Sequence, residues 1–547
     1  MTTFTDGPTA ARQNLRPTIG AVSLSFVVAL FLLATANRSF WDKTAIYFSG
    51  TVGAMPVLAL GLAALFSAIC IAVSIRFLTK PLFIFLILTS AVASWFMDRF
   101  GVLVSVEMIR NAAETTRAEA SNLITPALAW HVVKFGLLPT LAVAWVRVEH
   151  RPFIAKARRN AAFLVPLLLI AAVAASMQMR LLIITSREHR DWLASLNPVA
   201  PIVSAVRYAS STKAEKNIVV QTLGADAHLV AAAGRRPRVL VVVAGETARA
   251  DNFSLGGYPR PTNPELAARD ITYFAQTESC GTATAVSLPC MFSVYDRDSY
   301  SHRKGLQTEN LLDVLSHAGL AIEWWDNNTG SKGIADRVTY HSLPASPDPR
   351  FCTDGECQDG ILLERLVPWL DGVTTDSVLV IHQLGSHGPA YYERYPDAYR
   401  RFKPDCRTPD VADCSAEEIV NAYDNTIAYT DHFLSTIIDA LKAREGRLDG
   451  TMIYMSDHGE SLGENGLYLH GAPYLIAPKQ QTHVPFVLWL GAQDRATVNT
   501  ACLRQRAGEP ASHDNLFHTV LGLMSVATTV YDPALDVLSG CRPAPST

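Results

Sequence analysis

The 547-residue sequence has no strong charge imbalance, no internal repeat and no low-complexity tract. Its formal net charge of −3 is too small to indicate a nucleic-acid partner. Because the sequence has no internal repeat, a repeat architecture is not expected. None of the nine cysteines forms a C-x-x-C pair, and they do not converge on a four-ligand pattern. A zinc site built from thiolates is therefore not expected.

Hydrophobic runs are concentrated before Ile184, while the later sequence is rich in turns and charges. The mean hydropathy of +0.16 is high for a soluble protein, which indicates that part of the chain lies in lipid. We predict a transmembrane domain over 1–184, a bridging segment over 185–234 and a soluble domain over 235–547. The five runs long enough to cross a bilayer are Ile19 to Ala36, Thr51 to Leu78, Pro81 to Met97, Leu123 to Val146 and Ala161 to Ile184.

The topology follows from basic residues beside these runs. The first run lacks a clean small-residue cleavage site, so we expect it to remain as an anchor. Lys and Arg gather between the fourth and fifth runs, and this loop should be cytoplasmic. The soluble half would then emerge outside the cytoplasm. The basic residues of the loop are Arg147, Arg151, Lys156, Arg158 and Arg159.

Cysteine usage supports this topology independently, because only Cys70 lies in a hydrophobic run. The other eight cysteines lie in the soluble half, and an even set of this kind suits an oxidising compartment. Neighbouring cysteines along the chain suggest the pairs Cys280 with Cys290, Cys352 with Cys357, Cys406 with Cys414, and Cys502 with Cys541.

The loop over 98–122 is external in this topology and carries apolar residues at helical spacing. Asn111, Thr115 and Glu119 lie four residues apart and would share one helix face. This face admits two interpretations. The helix either rests on the membrane surface or turns its polar face towards a bound lipid head group.

The soluble half alternates β-rich runs with helical patterns, which is typical of a mainly parallel sheet covered by helices. A capping box, Ser415 with Glu418, opens a helix expected over 417–441. The clearest strands are Val239 to Ala244, Ala321 to Trp325, Val378 to His382, Thr451 to Met455 and Val484 to Leu490.

Residues with catalytic chemistry follow three of these strands. Glu246 follows the first strand, His382 and His387 the third, and the pair Asp457 and His458 the fourth. Ligands gather at the carboxyl ends of strands in open α/β sheets. Glu246, Asp457 and His458 offer the carboxylate and imidazole atoms that zinc prefers. Each residue alone could instead cap a helix or bind loop backbone, but their joint occurrence favours a metal site.

A hydroxyl nucleophile beside this metal is offered by the segment over 279–285. A bridge between Cys280 and Cys290 would hold the loop tightly and orient a side chain for attack. Metal coordination can activate a hydroxyl without an adjacent base. Spacing alone does not distinguish Thr282 from Thr284.

Four long blocks resemble the lipid A phosphoethanolamine transferases, including the mobile colistin resistance enzymes. The blocks are GETARADNFSLGGYPRPTNPEL (245–266), SCGTATAVSLPCMFS (279–293), GSHGPAYYERYP (385–396) and SDHGESLGENGLYLHG (456–471). The resemblance extends over nearly the whole chain. It implies five transmembrane helices followed by an α/β domain of the alkaline phosphatase and sulfatase type.

The same resemblance implies roles for individual residues. The nucleophile would be Thr284, and zinc would lie on Glu246, Thr284, Asp457 and His458. His387 and His470 would hold the phosphoryl group or a second zinc, and either could act as the proton donor. Head-group binding would involve Lys332, Asn111, Thr115 and Glu119, which favours the head-group interpretation of the external helix.

The implied reaction takes phosphoethanolamine from phosphatidylethanolamine and passes it, through a covalent threonine intermediate, to a phosphate of lipid A. We expect a monomer in the Gram-negative inner membrane, in contact with membrane lipids, with its catalytic domain in the periplasm. The added amine would weaken the binding of polymyxins and other cationic peptides. The alternatives are transfer to a core sugar of lipopolysaccharide or to a periplasmic glycan, hydrolysis by a sulfatase or phosphodiesterase, and a non-catalytic metal-dependent binding protein.

Overall fold

The chain divides into a mainly helical unit and a unit built on a β-sheet. The structure, a computed structural model, describes residues 16–149, 151–215, 218–230, 235–344, 346–353 and 355–542, without the side chains of residues 118, 119 and 214. One unit contains the described residues up to Asp98 together with Pro126–Pro201. The other contains Arg99–Thr125 and the described residues from Ile202 onwards.

The first unit is helical. Four of its segments are long and apolar enough to span a membrane: Ala54–Ala72, Thr79–Phe100, Pro126–Trp145 and Phe153–Met177. A fifth span is formed if the helices Ala21–Thr35 and Arg38–Tyr47, which meet at an angle of 66°, are counted as one. The helices are α1 Ala21–Thr35, α2 Arg38–Tyr47, α3 Ala54–Ala72, α4 Thr79–Phe100, α5 Val106–Glu114, α6 Arg117–Leu123, α7 Pro126–Val132, α8 Leu138–Trp145, α9 Phe153–Met177, α10 Met179–Glu188, α11 Arg190–Ala194 and α12 Val199–Glu215. Of these, α5, α6 and nearly all of α12 belong to the second unit.

The predicted spans correspond to these helices, with shifts at their ends. The last span begins at Phe153 rather than Ala161 and ends at Met177. The basic residues Lys156, Arg158 and Arg159 therefore lie in its first turns, where long side chains can reach the water interface. Hydrophobicity alone placed the start of the helix too late.

Close helix packing in this unit uses small residues, as is common in membranes. Helix α3 packs along α9, and a Cβ atom at Gly61 would lie 2.8 Å from the Cβ of Ala174. Larger apolar side chains, including Leu32, Phe66 and Phe83, form a core between α1, α3 and α4.

The second unit is built on an eight-stranded sheet. Its strands are β1 Arg238–Gly245, β2 Ile271–Glu278, β3 Ala321–Asp326, β4 Thr339–Ser342, β5 Ser377–His382, β6 Asp449–Ser456, β7 His483–Leu490 and β8 Ala511–Ser512. They lie in the order β8-β2-β7-β6-β1-β5-β3-β4. Strand β7 is antiparallel to β6 and β2, and the other pairs are parallel. The sheet is therefore mainly parallel, and the predicted strand Val484 to Leu490 is its antiparallel member.

Helices cover this sheet. The longest of them begins after Ser415, whose capping box with Glu418 is present as predicted. The remaining helices are α13 Pro264–Ala267, α14 Thr284–Met291, α15 His302–Gln307, α16 Leu311–His317, α17 Gly360–Gly372, α18 Ala416–Lys442, α19 Lys479–Thr482, α20 Ala492–Thr497, α21 Thr500–Arg506 and α22 Asp514–Leu523.

The external loop folds with the second unit, and its helix is not continuous. Helix α5 ends at Glu114 because Thr115 adopts extended backbone angles (φ −61°, ψ 136°), and α6 begins at Arg117. The expectation that Asn111, Thr115 and Glu119 share one face of a single helix is therefore wrong. A β-branched residue at this break is unsurprising, because such side chains are poorer helix formers.

Four disulfide bonds are present in the second unit: Cys280–Cys290, Cys352–Cys357, Cys406–Cys414 and Cys502–Cys541. They match the four pairs of neighbouring cysteines. All nine cysteines lie in described parts of the chain, and Cys70 in α3 is the one without a bridge.

Candidate metal centre and nucleophile

Sheet register brings the candidate metal ligands together. Strands β1 and β6 are parallel neighbours, and Gly245 pairs with Ser456 at their carboxyl ends. The next residue on each strand is Glu246 or Asp457, so the two carboxylates must emerge side by side. One ligand atom from each of Glu246, Asp457 and His458 lies within 4.8 Å of the others, and all three residues are buried.

One oxygen of the Asp457 carboxylate accepts backbone hydrogen bonds, and the other has no hydrogen-bond partner among the described residues. Its Oδ1 accepts the backbone N–H groups of His458 at 2.7 Å and Thr247 at 3.1 Å. Its Oδ2 is buried and has no hydrogen-bond partner among the described residues. A buried anionic oxygen without a partner is costly, and a cation is the ligand that would satisfy it.

The His458 ring is oriented in the way that metal-binding imidazoles usually are. Its Nδ1 lies 2.9 Å from the carbonyl oxygen of Gly459, and only the nitrogen can donate in this pair. We therefore assign the proton to Nδ1. This leaves the lone pair of Nε2 directed towards Glu246 Oε1 at 3.5 Å, as a metal ligand requires.

The electrostatics also favour a cation here. Burial and the nearby charge of Glu246 raise the pKa of Asp457 to about 6. Burial also raises the pKa of Glu246, but the imidazoles around it, His458 first, lower that pKa by more than burial raises it whenever they are protonated. Two adjacent buried carboxylates repel each other, and a divalent cation would stabilise both in the ionised form. The donor set thus fits a metal ion such as zinc.

The geometry distinguishes the two candidate threonines. Thr284 Oγ1 lies 3.2 Å from both carboxylate oxygens of Glu246 and 3.2 Å from His458 Nε2. Thr282 Oγ1 instead donates to the carbonyl oxygen of Ala472 at 2.6 Å. Of these two candidates, the Thr284 hydroxyl is therefore the one that lies at the metal cluster.

Local structure fixes the Thr284 side chain. Thr284 is the first residue of α14, and the Cys280–Cys290 bridge joins the preceding loop to the last turns of that helix. The hydroxyl of Ser287, one turn further on, donates to the carbonyl oxygen of Asp457. These contacts hold α14 against the end of β6, so the nucleophile candidate and the ligands keep a fixed separation.

His387 and His470 lie beside the cluster. The ring of His470 is 4.3 Å from the ring of His458 and 5.6 Å from that of His387, centroid to centroid. His470 Nδ1 lies 2.9 Å from Glu460 Oε2, which orients the imidazole. Burial raises the pKa of Glu460 to about 8, although the Tyr391 hydroxyl donates to it.

The proposed head-group residues lie in the same unit but are arranged differently. Lys332 Nζ forms an ion pair with Glu114 at the end of α5. The backbone carbonyl of Asn111 accepts a hydrogen bond from the Thr115 hydroxyl at 2.8 Å. Glu119 lies in α6, and its side chain is outside the described residues.

Several contacts to the cluster were not anticipated from the sequence. Asn328 Nδ2 donates to Glu246 Oε2 at 2.7 Å. His382 Nδ1 lies 2.9 Å from Asp326 Oδ2, and its Nε2 lies 3.9 Å from Glu246 Oε2. Burial lowers the pKa of His382, but the charge of Asp326 more than offsets this and raises it. The position of His382 at the end of a strand marks it in the sequence, whereas Asn328 and Glu460 have no strand pattern that marks them.

Comparisons with known proteins agree with this arrangement. The profile of the family described as "Phosphoethanolamine transferase EptA/EptB" matches residues 62–212, and the sulfatase profile matches residues 238–526. The chain is 37% identical to phosphoethanolamine transferase EptA of Salmonella typhimurium, over 96% of this chain and 98% of the relative. It is 35% identical to phosphatidylethanolamine transferase Mcr-1 of Escherichia coli, over 94% and 96% respectively.

A solved structure is similar over both units. The integral membrane lipooligosaccharide phosphoethanolamine transferase A of Neisseria meningitidis superposes with a TM-score of 0.93 and is 36% identical. The match covers 96% of this chain and all of that structure. The soluble domain of the same transferase, solved alone, matches 60% of this chain at 44% identity with a TM-score of 0.59.

Gly385 lies against the backbone of Glu246, so a methyl group added at this position should disturb Glu246. Its φ is +55°, and a Cβ atom would lie 2.7 Å from the Glu246 carbonyl oxygen. We expect Gly385→Ala to displace Glu246 and to lower the free energy of unfolding by about 1–3 kcal/mol. The bound metal content, measured by atomic absorption, should fall with activity.

Gly372→Ala is the matched control, because a Cβ atom there meets nothing within 4 Å. That variant should keep both metal content and stability. Full metal content in Gly385→Ala would contradict the argument that this close approach fixes Glu246.

Proposed function

Because the chain belongs to the EptA family of phosphoethanolamine transferases, we propose that it moves phosphoethanolamine from phosphatidylethanolamine to a phosphate of lipid A with Thr284 as nucleophile. The observation that carries the proposal is the Thr284 hydroxyl, 3.2 Å from Glu246 and His458 within a cluster that fits a cation. We assign the catalytic domain to residues 235–547.

The setting is the inner membrane. Four apolar helices, or five with the bent pair, form the membrane part. The soluble α/β domain lies in the periplasm, as in the inner-membrane transferases of this family. Four disulfide bonds in that domain suit the oxidising conditions there.

The first step is attack by Thr284 Oγ on the phosphorus of the donor lipid. A threonine–phosphorus bond forms, the bond between phosphorus and the glycerol oxygen breaks, and diacylglycerol leaves with a proton. His470, whose ring is oriented by Glu460, is the proposed donor of that proton, and His387 lies on the same side of the cluster. The hydroxyl proton passes to the Glu246 carboxylate, which accepts the Thr284 hydrogen bond, and returns from it to Thr284 in the second step.

In the second step a phosphate oxygen of lipid A attacks the same phosphorus, and Thr284 is released with its proton restored. Glu246, Asp457 and His458 would hold zinc together with Thr284. A bound zinc would lower the pKa of the Thr284 hydroxyl and offset the charge on the phosphoryl oxygens. Lys332 and the imidazoles of the site would hold the phosphoryl oxygens in place.

The product has a physical consequence at the cell surface. Each transfer adds a cationic amine to an anionic lipid, so polycationic peptides such as polymyxins would bind less strongly. Transfer to a sugar of lipopolysaccharide is the second candidate. One observation favours it, because a Kdo(2)-lipid A phosphoethanolamine 7''-transferase of Escherichia coli is 31% identical over 52% of this chain.

The reaction itself can be tested with the full-length protein in detergent. Phosphatidylethanolamine with a fluorescent acyl chain should give fluorescent diacylglycerol, and added lipid A should gain one phosphoethanolamine group by mass spectrometry. Diacylglycerol release with free phosphoethanolamine and unmodified lipid A would instead identify a hydrolase.

Thr284→Ala should lower transfer by more than about a thousandfold, since the step that forms the covalent bond is lost. Thr282→Ala is the control, because this hydroxyl faces Ala472 rather than the cluster. With the acceptor omitted, digestion and mass spectrometry should locate phosphoethanolamine on the peptide that contains Thr284. Equal activity in the two variants would remove Thr284 from the mechanism.

Metal removal should abolish transfer without unfolding the sheet. After dialysis against a chelator we expect loss of diacylglycerol release, with recovery on adding zinc in the micromolar range. The apoprotein should also melt at a lower temperature, because metal binding stabilises the folded state. Full activity in metal-free protein would exclude zinc from the reaction.

A further inference from the structure

A polar cavity lies next to the loop that carries His387. Its volume is about 270 Å³, and Arg394 forms part of its wall. The Arg394 Nε atom donates to the carbonyl oxygen of His387 at 2.8 Å. Two further wall residues, Glu356 and Leu384, also border a smaller cavity that reaches His387 and Asn328. The polar cavity is therefore a neighbour of the space beside the metal cluster.

The wall of the polar cavity contains many side chains that form hydrogen bonds. It includes two amides, a hydroxyl, two carboxylates and a guanidinium, which belong to Asn122, Gln358, Thr353, Glu356, Glu393 and Arg394. The aromatic ring of Phe351 also borders it. Polar groups that converge beside an apolar ring are typical of ligand pockets, whose volumes begin at about 300 Å³. The cavity is thus large enough for one ring of a head group but too small for acyl chains.

Arg394 has a nitrogen atom that lacks a partner in a buried position. The Arg394 side chain is 2% exposed, and its Nη1 donates to Glu356 at 2.5 Å. Its Nη2 is buried and has no hydrogen-bond partner among the described residues. A buried N–H group without a partner is costly, so an oxygen atom of a ligand bound at this wall would stabilise it.

The charges of the wall indicate which kind of ligand the cavity accepts. Its described charged residues are Glu356, Glu393 and Arg394, so the carboxylates outnumber the guanidinium. Both carboxylates would repel a phosphate bound among them. Hydroxyl groups donate and accept, and can therefore bind carboxylates and a guanidinium at the same time. The wall thus favours a neutral ligand rich in hydroxyl groups, such as a sugar ring.

Asn122 keeps one side of the cavity near the membrane. Only Leu123, Ile124 and Thr125 separate it from Pro126, where a membrane span begins. A link of this length reaches at most about 14 Å when fully extended. Whatever the arrangement of the chain, Asn122 stays within that distance of the span. The head group of a lipid anchored in the same membrane can therefore reach the cavity.

Building on the proposed function, we propose that the polar cavity binds a pyranose ring of the acceptor lipid. The bound ring directs its phosphate towards the neighbouring cavity, which reaches His387 and Asn328. Phosphatidylethanolamine contains no sugar, so the donor does not use this subsite. The polar cavity therefore serves only the second step of the transfer, and a ring from lipid A or from the lipopolysaccharide core meets its requirement.

The two steps of the transfer can be measured separately. When a covalent intermediate links them, kcat/KM for each substrate depends only on the step in which that substrate reacts. The donor value is obtained from diacylglycerol release by phosphatidylethanolamine, and the acceptor value from the amount of modified lipid A. Both are measured with the full-length protein in mixed micelles.

Thr353→Trp should fill the cavity from its rim. Thr353 is exposed and pairs with Glu356 across a short hairpin, and both residues border the cavity. Because the indole would clash with the ring, we expect acceptor kcat/KM to fall by about tenfold or more while donor kcat/KM stays within about twofold. Gln358→Ala removes one amide and should lower acceptor kcat/KM by about threefold to tenfold, the effect of one hydrogen bond.

Thr374→Trp is the matched control. Thr374 is also exposed, but it precedes the amino end of β5, whereas the metal ligands follow the carboxyl ends of their strands. This variant should keep both kcat/KM values, and the melting temperatures of all variants check that they fold.

Soluble competitors distinguish a sugar from a phosphate. N-acetylglucosamine should inhibit modification of lipid A by the wild-type protein and by Thr374→Trp, and much less by Thr353→Trp. Inorganic phosphate should inhibit all three proteins equally, because it would bind at the metal cluster rather than in the polar cavity. If inhibition by phosphate instead depended on Thr353, the assignment of a sugar would be overturned.

Unchanged acceptor kcat/KM in both cavity variants would overturn the inference. An equal fall for donor and acceptor would overturn it as well, since the wall would then only support the fold of the site. A fall for the donor alone would assign the cavity to the other substrate and would also refute the inference. Failure of the wild-type protein to release diacylglycerol from phosphatidylethanolamine would instead refute the proposed function.

Discussion

Two carboxylates that emerge side by side from neighbouring parallel strands are the constraint on which this site depends. The pairing of Gly245 with Ser456 brings Glu246 next to Asp457, and both side chains are buried. Such an arrangement is unfavourable unless a cation lies between the two groups. The surrounding contacts reduce the cost in part. Backbone N–H groups hold one oxygen of Asp457, and Asn328 holds one oxygen of Glu246.

The nucleophile and the imidazoles are positioned from elements outside these two strands. Helix α14 delivers Thr284 from a loop closed by a disulfide bond, while His470 comes from the segment that follows β6. Each is held by a neighbour that takes no direct part in the proposed chemistry, Ser287 for the helix and Glu460 for the imidazole. Catalysis that depends on orientation needs this kind of support, since small displacements of the reacting groups lower the rate strongly.

Much of this could be predicted from the sequence, because hydrophobic strands followed by Glu, Asp and His leave a clear pattern. The strands that were missed are Ile271–Glu278, Thr339–Ser342 and the short Ala511–Ser512, which are only partly buried or lie at a sheet edge. The difference between Thr282 and Thr284 depends on which way each side chain points, and spacing carries no such information. Asn328 and Glu460 reach the site through tertiary hydrogen bonds to Glu246 and His470, so no local pattern distinguishes them from ordinary polar residues. The helix breaks after Glu114 because the backbone of Thr115 is extended, and the spacing of apolar residues does not predict such a local change.

Residues 99–125 lie between two membrane spans along the chain, yet they fold with the catalytic unit. The polypeptide therefore passes between the two units three times rather than once. A soluble fragment cut after the last span would keep the whole sheet and every metal ligand, but it would lose α5. Measurements on such a fragment would therefore describe the metal ligands without the helix whose Met108 borders Gly471, the residue next to His470.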